Sequence, residues 1–189
     1  TPSNVLIYPK DFKTKVVVEK LQNHLCGLTR KGHFDGVTSV VLKLFNITNP
    51  HYAIFGEKDL QQLIIIKQMV KDLNIPLKII SHPIVREKDG LAMSSRNLRL
   101  SKNAREIAPN IFKGLLDVKE NFKSNKELKS NQIIKNLNKF YKKNSINNIE
   151  YIKIINPTSI TYPTKPNSGD YIAVAIKLGG IRLIDNLKF

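Results

Sequence analysis

The sequence predicts an α/β fold in which part of a parallel sheet is followed by a smaller α+β unit. Between residues 51 and 84, a short apolar run, a long helical pattern and a second apolar run follow one another with short connections. This order is typical of a β–α–β unit with parallel strands. Near the C-terminus, two strand-like runs are separated only by Gly179-Gly180, which predicts an antiparallel hairpin.

In the first part of the chain, the spacing of apolar residues predicts each element. We expect Asn49-Pro50 to end the second helix and Asp59 to cap the start of the third. The first strand reads as a short apolar run that ends in glycine and is predicted to be buried. The predicted order is helix 15–25, helix 37–48, strand 51–56, helix 58–74 and strand 75–84.

The second part of the chain has a different pattern, in which two helices rich in lysine precede three strands. We therefore divide the chain near residues 86–90, which gives a first domain over 1–87 and a second over 88–189. The predicted order in the second part is helix 101–116, helix 125–144 and strands 148–157, 170–178 and 181–187.

The formal net charge of +16 over 189 residues allows two interpretations. One is an anionic partner, such as RNA, a membrane surface or nucleotide phosphates. The other is background composition, because lysines between residues 102 and 143 have helical spacing, which suits a solvated face. Aromatic residues are not interleaved with them as base-stacking platforms would require, so we favour the second interpretation.

The single cysteine, Cys26, excludes an internal disulfide framework and a site with several thiolate ligands. We interpret it as a small apolar filler rather than a nucleophile. The longest apolar runs are too short to span a bilayer. A reducing cytoplasm is the location that we expect.

An FGEKDLQQL stretch spans the end of the first predicted strand and the start of the helix after it. Ligands bind at this position in open α/β sheets, and helix N-terminal amides favour anions there. Gly56 would let a ligand approach the backbone, Lys58 would neutralise phosphate charge, and Gln62 would share the face of Lys58. The alternative is an ordinary turn in which Glu57 and Asp59 act as caps.

DGLAMSSRN, at residues 89–97, is predicted to be a loop, because serines break the apolar periodicity and Asp-Gly favours a turn. Arg96 can hold a phosphate with two hydrogen bonds, and the hydroxyls of Ser94 and Ser95 can donate to the same oxygens. No Walker or G-x-G-x-x-G motif accompanies the loop, which excludes P-loop and dinucleotide sites. The alternative is a polar turn between domains.

A third polar stretch, TRKGHFDGV, carries Arg30, Lys31 and His33 between glycines. It is either a mobile loop that contacts anions or a solvated loop between helices. Since His33 has no second histidine nearby and Asp35 alone does not make a metal site, we predict no metal site in this chain.

Together these stretches resemble the pantothenate synthetase (pantoate–β-alanine ligase) family. The motifs occur in the family's order over nearly the whole chain. Lys31 stands where the family commonly has proline, and residues 120–168 carry no motif. The matching motifs are GHFDGV (32–37), KLFNI (43–47), FGEKDLQQL (55–63), VREKDGLAMSSRN (85–97), LRLS (98–101) and RLIDN (182–186).

The resemblance implies an AMP-forming ligase that uses ATP as a substrate. In this family pantoate attacks the α-phosphate of ATP to give pantoyl adenylate and pyrophosphate, and β-alanine then attacks the adenylate to give pantothenate and AMP. The resemblance also implies a Rossmann-like nucleotidyltransferase domain followed by a smaller lid domain. Residues 1–87 would then be the C-terminal part of the domain that binds ATP and pantoate, and 88–189 would be the lid.

The resemblance assigns roles to individual residues. Gln62 would hold pantoate, the Val85 backbone would touch the adenine side, and residues 93–96 would correspond to the KMSKS loop of class I synthetases, which clamps the β- and γ-phosphates. The expected catalytic residues are Lys58, Ser94, Ser95 and Arg96. The expected ATP-binding residues are Gly56, Glu57, Lys58, Asp59, Val85, Met93, Ser94, Ser95 and Arg96.

One family motif, H-x-G-H, does not occur among the four histidines of this chain, which opens at Thr1 without a methionine. We therefore expect a C-terminal portion of a synthetase, separated from the half-domain that carries H-x-G-H and the Mg²⁺ ligands. This portion alone is expected to bind ATP poorly and to be inactive. A homodimer is expected for the parent protein.

Three alternatives remain at the level of the sequence. The first is another adenylyl- or nucleotidyl-transferring enzyme with a KMSKS-like loop, which would differ in the pocket around Gln62. The second is a basic module whose binding to nucleic acid would be tight and strongly salt-dependent. The third is a degenerate subunit that complements a partner chain.

Overall fold

The structure, a computed structural model, describes residues 3–189 and divides into two compact units. The first unit ends at His82 and the second runs from Pro83 to Phe189. The first contains helices α1 (Asn4–Ile7), α2 (Cys26–Thr29), α3 (His33–Thr48) and α4 (Leu60–Asp72), strands β1 (Tyr52–Gly56) and β2 (Lys78–His82), and 3-10 turns Leu21–Asn23 and Glu57–Asp59. The second contains helices α5 (Lys102–Ile107), α6 (Asn110–Ser124) and α7 (Ser130–Lys143), strands β3 (Asn148–Ile155), β4 (Tyr171–Leu178) and β5 (Ile181–Lys188), and the 3-10 turn Ser95–Arg99.

A parallel strand pair forms the centre of the first unit, as predicted. β1 and β2 pair in parallel, from Tyr52 opposite Lys78 to Gly56 opposite His82, and α4 connects them. The core of this unit comprises Val41, Phe45, Ile66 and Met69, contributed by α3 and α4. With the antiparallel sheet of the second unit, this arrangement confirms the predicted α/β fold class.

The prediction that the first strand, β1, is buried is wrong for the residues that the structure describes. Ala53 and Phe55 pack against the core, whereas Tyr52 and Ile54 are 62% and 67% exposed. The reason is that α3 and α4 cover one face of the strand pair, and side chains alternate between the two faces of a strand. A continuous apolar run therefore does not by itself indicate burial on both faces.

The predicted helix 15–25 is also wrong. Over these residues the structure has an irregular segment followed by the 3-10 turn Leu21–Asn23, and Lys20 and Leu25 have positive φ values of 66° and 42°. The backbone of Val16 is held by α3 instead, because its N–H donates to Ser39 Oγ and its carbonyl accepts from Thr38 Oγ1. Hydrogen bonds to distant residues of α3 thus outweigh an apolar spacing that is typical of a helix, and β-branched valines have a low helix propensity.

The boundaries of the next two helices differ from prediction at their starts. α3 begins at His33, four residues before the predicted start at residue 37, and ends at Thr48, where Asn49 adopts a left-handed conformation with φ 43°. The predicted end of this helix is confirmed. α4 begins at Leu60, and Asp59 precedes it without a side-chain cap hydrogen bond to the described helix, so the cap prediction is wrong.

In the second unit, an antiparallel sheet in the order β3-β4-β5 packs against α6 and α7. The hairpin at Gly179-Gly180 is confirmed, with φ values of 54° and 79° that glycine adopts without strain. The predicted helix 101–116 is divided into two helices, because Pro109, which lies between α5 and α6, interrupts the helical hydrogen bonds. The apolar core of this unit includes Ile111, Leu115, Leu137, Ile152, Ile172 and Val174.

Tyr141 connects the two long helices of this unit. Its hydroxyl donates to the carbonyl of Ile111 at 2.9 Å, and burial raises its pKa well above the ordinary value.

No helix within residues 3–189 combines the length and the apolar character that a membrane span requires. The division into a nucleotide-binding domain at 1–87 and a lid at 88–189 stays a prediction.

Candidate functional site

The C-terminal ends of β1 and β2 form the edge where the sequence predicted a ligand site in the first unit. Gly56 and His82, the last residues of the two strands, pair in register. Directly after Gly56 the chain turns through Glu57–Asp59 into α4. The N–H groups at a helix N-terminus and the positive end of the helix dipole point towards such a junction, which favours a negatively charged ligand.

Gly56 leaves open space at this junction. Its φ of −73° is an ordinary value for any residue, and a Cβ built on it would meet no atom within 4 Å among the described residues. The backbone conformation therefore does not require glycine here. The absence of a side chain instead leaves room for another molecule to approach the backbone closely.

The structure brings the predicted residues of the first unit together at this helix N-terminus. Glu57 and Lys58 are half-buried in the 3-10 turn, Asp59 is exposed, and Gln62 is half-buried in the first turn of α4. The shared face that the sequence predicted for Lys58 and Gln62 stays a prediction, because Lys58 lies in the 3-10 turn and Asp59, between that turn and α4, has a non-helical φ of −90° and ψ of 58°. An ammonium group and an amide nevertheless lie four residues apart along the same junction.

Gln61, which the sequence did not single out, holds the preceding loop against α4. Its side chain is buried, and its Nε2 donates to the carbonyls of Leu21 at 3.0 Å and His24 at 2.7 Å. Its Oε1 accepts from the amide of Cys26 at 3.0 Å. One amide side chain thus satisfies three backbone groups of a loop that lies 35 to 40 residues earlier in the chain.

The TRKGHFDGV stretch borders a shallow depression in the first unit. The depression is lined by Gln22, Asn23, Gly27, Arg30, Lys31, Gly32, Phe34 and Asp35. Arg30 and Lys31 are exposed, and His33 begins α3 rather than lying in a loop. Within residues 3–189 no three His, Cys, Asp or Glu side chains cluster in a way that could hold a metal ion.

The predicted residues of the second unit lie on and after a short hairpin. Arg86 and Ala92 form an antiparallel bridge, and the amide of Met93 donates to the carbonyl of Val85 at 2.9 Å. Gly90 makes the turn with a φ of 92°, where its Cβ would also collide with the ring of Phe112. The hairpin therefore brings Val85 next to Met93, the first residue of the predicted phosphate loop.

The tip of this predicted phosphate loop, Met93 to Arg96, faces solvent. Ser94 caps the 3-10 turn that follows, because its Oγ accepts from the amide of Arg96 at 3.2 Å. Met93, Ser95 and Arg96 are exposed, and Ser94 is half-buried. A hydroxyl, a guanidinium and backbone amides are thus presented on one short segment, a combination that suits phosphate oxygens.

The hairpin is fixed to the rest of the second unit by ion pairs. Arg86 binds Asp185 of β5 through two hydrogen bonds of 2.7 and 2.9 Å, and its guanidinium lies 3.5 Å from the ring centre of Phe112. This contact joins the VREKDGLAMSSRN motif to the RLIDN motif, which the sequence singled out without giving it a role.

Arg105 of α5 holds the turn of the same hairpin, through Glu87 at 2.6 Å and Asp89 at 2.6 Å. The hydrogen bond from Arg105 lowers the pKa of Asp89, and the same bond raises the pKa of Arg105. The carboxylate of Asp89 therefore stays ionised over the usual pH range of a folded protein.

Comparisons with known proteins agree with each other. The sequence model described as pantoate-beta-alanine ligase matches residues 1–188. Pantothenate synthetase of Caldicellulosiruptor bescii is 47% identical over 98% of this chain and 66% of its own length. The solved pantothenate synthetase of Thermus thermophilus superposes with a TM-score of 0.92 at 36% identity, over 99% of this chain and 67% of that chain.

A second solved structure shows ligands in a relative. Pantoate-beta-alanine ligase of Francisella tularensis, complexed with beta-gamma ATP and beta-alanine, has a TM-score of 0.71 at 34% identity, over 99% of this chain and 62% of that chain. The chain spans about two thirds of the length of the curated relatives it matches, 66% and 65% for two of them.

Proposed function

Since this chain belongs to the pantoate-beta-alanine ligase family, we propose that its protein joins pantoate to β-alanine with ATP as the second substrate. In the first step a carboxylate oxygen of pantoate bonds to the α-phosphorus, and the bond to the β-phosphate breaks to release pyrophosphate. In the second step the amine of β-alanine attacks the acyl carbon, loses a proton, and AMP leaves.

The junction between β1 and α4 carries this proposal. Gly56 leaves room for the nucleotide at the start of the turn into α4, and Lys58 supplies a positive charge where negative charge builds on the α-phosphate. Glu57 and Asp59 line the same nucleotide site. Gln62, in the first turn of α4, would donate to pantoate and hold its carboxylate for attack.

The predicted phosphate loop provides the second group of contacts. Ser94, Ser95 and Arg96 would bind the β- and γ-phosphates, which leave together as pyrophosphate. The exposure of Ser95 and Arg96 supports this role, because a ligand can reach the hydroxyl and the guanidinium from solvent. Met93 and the backbone of Val85 would border the nucleotide beside these contacts.

We further propose Mg²⁺ as the companion of ATP, a homodimer as the assembly, and the cytoplasm as the location. The described residues offer no cluster of three candidate metal ligands. No step of the reaction is therefore assigned to a metal held by the described residues. The other partners in the proposal are ATP, pantoate and β-alanine, with no specific nucleic acid and no membrane.

The experiment compares Lys58→Ala with Lys71→Ala, an exposed lysine in the last turn of α4. The protein encoded by the reading frame that contains this sequence is expressed in full, and pyrophosphate release that depends on pantoate is measured. We expect Lys58→Ala to slow pyrophosphate release by about a hundredfold or more, because removing one group that stabilises charge in a transition state has an effect of this size. Lys71→Ala should behave as the unchanged protein.

Two results would contradict the proposal. One is an unchanged protein that releases no pyrophosphate when pantoate and ATP are supplied together. The other is a Lys58→Ala variant that is as fast as Lys71→Ala, which would remove Lys58 from the reaction.

A further inference from the structure

We propose that Asn97 is a positioning residue that fixes the predicted phosphate loop, and that it acts through Glu87. This inference rests on the proposed function of Met93 to Arg96 as the segment that contacts the ATP phosphates. Asn97 itself is only 7% exposed and does not face the solvent as Ser95 and Arg96 do. Its role would be to hold the loop rather than to touch a substrate.

The side-chain amide of Asn97 closes the predicted phosphate loop. Its Nδ2 donates to the carbonyl of Ala92 at 3.1 Å, which joins the residue before the loop to the residue after it. The same nitrogen donates to Glu87 Oε1 at 2.6 Å, which ties the closed loop to the hairpin. The backbone amide of Asn97 adds a bond to the carbonyl of Ser94 at 3.0 Å.

The chemistry of these contacts explains why asparagine stands at this position. Both partners of the side chain are acceptors, a carbonyl and a carboxylate, so the group between them must offer two N–H donors. A serine has one donor and an ionised aspartate has none. The amide oxygen of Asn97 is buried and has no hydrogen-bond partner within residues 3–189, so the nitrogen alone makes the contacts.

Glu87 is itself held firmly, which makes it a fixed anchor for the loop. Its second oxygen, Oε2, accepts from Arg105 at 2.6 Å, and its backbone amide donates to Leu91 at 2.8 Å within the hairpin. Arg86, next to it in sequence, is fixed by Asp185. The base of the loop is therefore rigid while its tip is exposed.

A loop that is ordered before the ligand arrives costs less entropy when it binds phosphate. Losing the contacts of Asn97 should therefore weaken the step in which the β- and γ-phosphates are bound and released. It should leave the second step intact, because these phosphates have departed as pyrophosphate before β-alanine attacks.

The test compares Asn97→Asp with Asn156→Asp. Asn97→Asp keeps the shape, removes both donors and sets a carboxylate against Glu87. Asn156 lies in the same unit and donates from its Nδ2 to Asp170 Oδ1 at 3.0 Å, so Asn156→Asp makes the same chemical change away from the loop. Asn97→Ser, which keeps one donor, is a milder variant in case Asn97→Asp does not fold.

The first measurement separates the two steps of the reaction in the full protein. Asn97→Asp should slow pyrophosphate release from ATP and pantoate by about tenfold or more, since hydrogen bonds to a charged group are lost. Pantothenate formation from preformed pantoyl adenylate and β-alanine should proceed at the unchanged rate. Asn156→Asp should alter neither step, and Asn97→Ser should lie between.

The second measurement does not depend on activity. Hydrogen exchange of the Arg96 and Asn97 amides, which donate to the Oγ and carbonyl of Ser94, should become faster in Asn97→Asp and stay unchanged in Asn156→Asp. If the unchanged protein forms no adenylate, the proposed function fails, while the exchange result still judges the role of Asn97 in the loop.

The inference is overturned if Asn97→Asp, or Asn97→Ser where the first does not fold, leaves the exchange of both amides unchanged. It is also overturned if the variant slows both steps equally, because that pattern belongs to general destabilisation rather than to the positioning of a phosphate loop.

Discussion

Replacing Arg86 with leucine leaves the carboxylate of Asp185 buried without its guanidinium. The two side chains are 17% and 2% exposed, and they share two hydrogen bonds of 2.7 and 2.9 Å. Removing one partner of a buried ion pair costs about 3–5 kcal/mol. Asp185 keeps the amide of Asn186 at 2.8 Å, and leucine retains apolar contact with Phe112, so we expect the lower end of that range.

The assay is urea unfolding followed by circular dichroism, because the chain contains no tryptophan. The double variant Arg86→Leu with Asp185→Asn removes the buried charge and should recover part of the loss, leaving about 1–3 kcal/mol for polar groups without partners. A matched control is Arg105→Leu, whose ion pairs are more exposed and should contribute about 1 kcal/mol or less. An Arg86→Leu cost as small as that of Arg105→Leu would refute the reasoning.

Two further predictions concern stability. Gln61→Glu removes both N–H donors to the loop at residues 21–26. We expect this variant to lower the free energy of unfolding by about 1–3 kcal/mol in the same urea assay. An unchanged urea midpoint would show that the loop does not depend on this side chain. Burial raises the pKa of Glu150, but hydrogen bonds from Arg182 and Lys177 outweigh it and leave the pKa below the ordinary value of 4.5. The stability that Glu150 contributes is thus complete above pH 4.5 and is lost as the pH falls through the lowered pKa. The Glu150→Gln variant should therefore lose less stability on acidification than the unchanged protein. An equal loss in the variant and the unchanged protein would contradict the lowered pKa of Glu150.

Local patterns in the sequence predicted the order of elements well. The strand–helix–strand order around residues 51–84, the end of α3 before Asn49 and the hairpin at Gly179-Gly180 all depend on near neighbours along the chain. The spacing of apolar residues and the residue types that favour turns are local features, so these elements can be predicted from the sequence alone. The resemblance to the ligase family, which depends on short motifs, was likewise confirmed.

Contacts between distant residues could not be predicted in the same way. The backbone of Val16 is bonded to hydroxyls of α3, more than 20 residues later, and no local pattern signals this. Arg86 and Asp185 are 99 residues apart, and the partners of Gln61 are 35 to 40 residues away. The motifs marked these regions as important, but the hydrogen bonds that explain them became visible only in the fold. The roles of Lys58 and Gln62 stay predictions.

The most direct test of the central claim is to follow an oxygen atom through the reaction. Pantoate labelled with oxygen-18 in its carboxylate is supplied with ATP and β-alanine to the full protein, and the products are examined by mass spectrometry. If pantoate attacks the α-phosphate, one labelled oxygen must appear in AMP, and pyrophosphate must stay unlabelled. Label in inorganic phosphate, or pantothenate formed with unlabelled AMP, would contradict the proposed ligation through pantoyl adenylate.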